Sequence, residues 1–154
     1  YLFSQFQYLL FEQLQQCSDG QLSAIAAKSI KETAYHLRWS REWVIRLGDG
    51  TAESHNRMLN AMDELWRYTG EMFIPAPYEK VMNIDFTKIK DEWDIKVGTV
   101  FNEASLIPPS AQADKSGRGG AMQTGGKEGT HTEHMGYILT ELQYMQRAYP
   151  DSKW

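Results

Sequence analysis

An all-α fold is what this sequence predicts, and three observations carry the prediction. Apolar residues recur at i, i+3, i+4 and i+7 through most of the chain. Helix-start residues stand before these segments, and glycine or proline stands after them. Nowhere does the strict apolar–polar alternation of a half-buried strand persist. The expected architecture is an antiparallel helical bundle, a single domain over residues 1–154, with a long irregular loop at about 107–129 and no internal repeat.

The first helix is expected from about Tyr1 to Gln16, with Phe3, Phe6, Leu9, Leu10 and Leu14 as its apolar stripe. Tyr1 already lies inside that rhythm, with no cap before it. The chain therefore reads as a piece of a longer one whose upstream portion is absent. Ser18-Asp19-Gly20-Gln21 has the form of a capping box, Ser18 covering the amide of Gln21 while Gln21 reaches back. A long second helix should follow to Leu47, with a core stripe of Leu22, Ile25, Ala26, Ile30, Ala34, Leu37, Val44 and Leu47, ended by Gly48-Asp49-Gly50.

Thr51 should cap a third helix carrying Met58, Met62, Leu65, Trp66, Thr69, Met72 and Phe73, stopped by Pro75 and Pro77. Asp85 should cap a fourth, with Phe86, Ile89, Trp93, Val97, Val100, Phe101 and Ala104 on one side; Gly98 weakens its centre by ~1 kcal/mol relative to alanine. From Ile107 to Gly129 prolines and glycines leave no periodic pattern, and a loop of that length is usually functional, partner-bound or mobile. A last helix is expected to start at a second capping box, Thr130-His131-Thr132-Glu133, and to carry Ile138, Leu139, Leu142 and Met145 before Pro150. The short connectors at residues 17–20 and 48–50 predict that successive helices pack antiparallel.

Composition narrows the class. With 42% hydrophobic and 23% charged residues the chain is globular rather than disordered. Sixteen Lys and Arg against twenty Asp and Glu give a net charge of -4, the wrong sign for a protein that coats nucleic acid. The single Cys17 can form no internal disulfide, which points to a reducing, cytoplasmic setting. No apolar run approaches the ~20 residues that span a bilayer, so no membrane partner is expected. Tyr35, Trp39 and Trp43 lie beside the main seam of the second helix. Either that helix is covered on two sides, by helices missing here and by another subunit, or the bundle has one crowded core.

Candidate chemistry is sparse. Glu32 and His36, four apart, share a helix face. Bundles that hold two irons use a Glu from each of two helices and a Glu-x-x-His from each of the other two. Here the position three before His36 is Thr33, the first helix offers mainly glutamines, and Lys28 and Lys31 add positive charge. Iron needs several anionic oxygens, so the pair reads as a structural contact rather than a metal centre. His131 and His134 flank Glu133, which capping already explains. The stretch from Gly120 to Glu128 fails the phosphate-loop spacing in either register, though Arg118 and Lys127 could meet an anion. No serine or cysteine stands in a nucleophile context. Neither catalytic nor cofactor-binding residues are assigned.

Several blocks resemble the family of structural, non-catalytic subunits of bacterial phenylacetyl-CoA epoxidases. They are Lys31-Glu32-Thr33-Ala34-Tyr35-His36-Leu37-Arg38-Trp39-Ser40, then Trp43, Arg46-Leu47-Gly48 and Gly50-Thr51. Leu65-Trp66-Arg67-Tyr68-Thr69, Asn102-Glu103-Ala104, Thr124-Gly125-Gly126-Lys127 and the blocks from His131 to the terminal Trp154 are similar too. The likeness runs over essentially the whole chain and lacks about the first third of the family. It implies a ferritin-like fold without its N-terminal helices, and a non-catalytic role beside a homologous subunit that holds the di-iron centre. A reductase feeds that assembly, which epoxidises the aromatic ring of phenylacetyl-CoA with O₂ in aerobic phenylacetate catabolism. Glu32 and His36 would then be vestiges of an iron site, with Lys28 or Lys31 supplying the lost charge. The alternative is a di-iron oxygenase or oxidase subunit that binds metal itself, with ligands from the missing segment.

Overall fold

Six α-helices organise residues 1–109 and 122–153, the part of the chain that the computed structural model describes, and no strand occurs among them. They fall into two compact units, Tyr1–Gln123 and Thr124–Trp154.

The first unit is built around α4 (Phe86–Glu103). The Asp85 carboxylate accepts the Lys88 amide at 2.9 Å, capping the helix where the sequence places it. Phe86, Ile89, Trp93, Val97, Val100, Phe101 and Ala104 are all buried, every residue of the expected stripe. Gly98 does not interrupt the helix, and a Cβ there would meet nothing. The helix ends with Ser105 in the left-handed region at φ 57° and the Leu106 amide bonding back to the Phe101 carbonyl at 2.8 Å, a six-to-one closure made without glycine.

Helix α1 (Leu2–Leu14) runs antiparallel to α4. At one end the buried Trp93 indole donates to the Leu2 carbonyl at 2.9 Å. At the other, the Gln13 amide grips the backbone of Asp85 on both sides, accepting from its N–H at 2.8 Å and donating to its carbonyl at 3.2 Å. The buried stripe is Gln5, Phe6, Leu9 and Leu14; the expected Phe3 is exposed, because it falls outside the arc that faces α4. Edge-on aromatic contacts join the pieces, Phe73 meeting Phe6 at 5.5 Å and Trp93 at 5.3 Å, with Trp66 tilted on Trp93 at 5.8 Å.

Helix α2 (Gly20–Gly48) is capped by Asp19, one residue later than expected. The Asp19 carboxylate accepts from both Gln21 and Leu22 amides, at 2.9 and 3.0 Å, and so satisfies two orphan donors where Ser18 could serve one. Its buried residues are small, Ala26, Thr33 and Gly48, with Leu22, Ile30, Leu37 and Val44 half-buried beside them. Ile25, Ala34 and Leu47, expected in the core, are exposed. The small side chains set which arc faces inward by letting neighbouring helices come close. A Cβ on Gly48 would sit 2.6 Å from the Ala104 carbonyl oxygen, so this close approach of the ends of α2 and α4 requires glycine there.

Helix α3 (Ala52–Leu65) is capped by Thr51, whose hydroxyl accepts the Ser54 amide at 3.2 Å. The expected continuation to Phe73 tightens instead into two 3₁₀ turns, Trp66–Tyr68 and Gly70–Phe73. The Thr69 hydroxyl and amide both bond the Trp66 carbonyl, at 2.8 and 3.0 Å, which closes an i−3 turn in place of an α-helical one.

In the second unit, Gly125 and Gly129 take positive φ around a 3₁₀ turn, Gly126–Glu128. Then come α5 (Glu133–Leu142) and α6 (Tyr144–Ala148). The expected capping box at Thr130 does not form: the Thr130 amide bonds the Gly125 carbonyl at 2.9 Å, which ties it to the glycine turn, and Thr132 becomes the N-cap without a side-chain bond. The remaining loop residues, 110–121, lie outside the described residues.

Candidate functional site

The residues singled out from sequence lie on α2. The helix carries Glu32 and His36 on adjacent turns, and the His36 Nε2 stands 3.9 Å from the Glu32 Oε1. Both side chains are exposed, at 57% for His36 and 78% for Glu32. Lys28 precedes Glu32 by one turn, so ammonium, carboxylate and imidazole follow each other at i, i+4 and i+8. The same side of the helix carries the exposed Ile25, Trp39 and Trp43. Trp39 meets Trp43 edge-on at 6.3 Å, and the guanidinium of Arg46 covers the Trp43 ring at 5.7 Å. Thr33, at the position where a Glu-x-x-His motif has its carboxylate, is buried, whereas Glu32 and His36 are exposed.

This donor set does not fit a pair of iron ions. One carboxylate and one imidazole supply a single negative charge, and a lysine stands a turn away. Among the described residues no group of three or more His, Cys, Asp or Glu side chains could hold a metal ion.

Of the two possible anion contacts, Arg118 lies outside the described residues. Lys127 sits half-buried in the glycine turn. The amides of Glu128, Gly129 and Thr130 are bonded to the Gly125 and Gly126 carbonyls, at 3.0, 3.3 and 2.9 Å, and do not open onto a phosphate. Glu133 in the first turn of α5 adds negative charge where an anion would have to sit. His131 and His134 are both exposed and have no third donor beside them among the described residues.

Sequence reasoning missed two features of the first unit. One is a cleft of about 610 Å³ between the end of α1 and the start of α4, bordered by Glu12, Gln16, Cys17, Lys88 and Glu92. The other is a cleft of about 480 Å³ lined mostly by apolar side chains, among them Val44, Met58, Met62, Leu65 and Met72. The run Met58, Met62, Leu65 signals that second lining, but nothing in the sequence shows that a space remains over it. Burial pushes the Tyr1 phenol, on its rim, up to about 12, against a smaller opposing pull from Arg41. The phenol donates to the Lys96 carbonyl at 3.3 Å. No helix among the described residues is long and apolar enough to cross a membrane.

Fold and site together define an all-helical protein in which, among the described residues, no three His, Cys, Asp or Glu side chains gather to hold a metal ion. Compared with known families, residues 1–154 match the one described as "Phenylacetic acid catabolic protein", and the chain belongs to that family. Among curated proteins it is similar to the C subunit of 1,2-phenylacetyl-CoA epoxidase from Escherichia coli (strain K12), 43% identical over 150 residues. That alignment covers 94% of this chain and 57% of the relative, so the chain spans a little over half of the relative's length.

Proposed function

We propose that this chain acts as a structural subunit of a phenylacetyl-CoA ring epoxidase in aerobic phenylacetate catabolism, in the cytoplasm. In this reading it scaffolds a homologous catalytic subunit that carries the di-iron centre, and it has no catalytic site of its own. The name of the relative supports the assembly. The observation that carries the non-catalytic role is the stripe Lys28–Glu32–His36 with Thr33 buried. An ammonium takes part in a face where iron chemistry would need carboxylates, and a buried threonine stands where the motif has one of them. Glu32 and His36 are then remnants of a ligand set rather than a working one. A second reading, that the subunit binds metal with further ligands from a longer chain, draws on one fact: the carboxylate and imidazole still share an exposed face 3.9 Å apart.

The test is to express the full-length protein alone and with its catalytic partner, then to measure iron and phenylacetyl-CoA epoxidation in each. The proposal expects iron far below one equivalent and no turnover for the protein alone, with full activity only in the complex. Stoichiometric iron that disappears in a Glu32→Ala variant, together with turnover by the isolated protein, overturns it in favour of the second reading.

A further inference from the structure

We draw no further inference here: the strongest candidate, the cleft of about 480 Å³ in the first unit over Met58, Met62, Leu65 and Met72, is an unpartnered apolar surface, and nothing in the structure shows what covers it.

Discussion

Helices α4 and α5 carry the same rhythm of apolar residues and have opposite fates. Ile89 and Trp93 of α4 are 1% exposed, whereas Ile138 and Leu142 of α5 are 55% and 75% exposed. Periodicity specifies that a helix owns an apolar stripe; it does not specify what lies against it. Trp93 is enclosed by Phe73 and Trp66 and tied to Leu2, residues far away in sequence. On α5, Ile138, Leu139 and Leu142 stay exposed among the described residues. One pattern therefore lies in the core in the first place and at the surface in the second.

Truncating a side chain in each element puts this contrast to its hardest test. Trp93→Ala should cost about 3–5 kcal/mol in urea unfolding, through the lost aromatic volume and the lost bond to the Leu2 carbonyl. Leu142→Ala, an equally apolar deletion from an exposed site, should stay within about 0.5 kcal/mol. Equal losses at the two sites would mean that α5 is part of the core after all.

A smaller contrast concerns the caps. Asp85→Ala removes a carboxylate that holds the Lys88 amide and should cost about 1 kcal/mol. Thr132→Ala removes a side chain that makes no cap bond, so thermal melting should shift little. A clear loss at Thr132 would show that its hydroxyl is engaged.

The smallest effect is alkaline. The Tyr1 phenol ordinarily ionises near 10 and is pushed up to about 12 by burial, so the folded protein holds this proton more tightly than the unfolded chain. Its contribution to stability is fully present below pH 10 and is lost as pH rises from 10 towards 12. Ultraviolet titration should show a late-titrating tyrosine that is lost in a Tyr1→Phe variant, and no change in that variant would place the phenol in water.

How far the sequence can be read follows from the same physics. The whole stripe of α4 and its Asp85 cap are legible, because a single buried face leaves an unambiguous repeat and the cap lies next to it in the chain. On α2 periodicity places Ala26 inside, as it is, but it also places the larger Ile25 and Leu47 there, while the small Gly48 faces inward instead. Hydrophobicity ranks them the other way, and only the closeness of the neighbouring helices, 2.6 Å from a Cβ on Gly48 to the Ala104 carbonyl, reverses the order. The end of α3 escapes a sequence reading because a threonine hydroxyl competing for one carbonyl is a local bond that periodicity does not register. For the candidate site, the sequence shows that Glu32 and His36 share a face and that Thr33 breaks the motif. Their exposure, and the aromatic residues around them, come from the folded chain.

By itself the sequence determined the helical class, the helix starts at Thr51 and Asp85, and the shortage of carboxylates beside His36, since each depends on residue type and spacing within a few turns. Tertiary structure alone decided which face of α2 is inside, how α1 is clamped to α4 through Gln13 and Trp93, and that Ile138 and Leu142 of α5 stay exposed among the described residues. Those outcomes turn on which surfaces meet across long stretches of chain, and burial is a property of the meeting rather than of either surface.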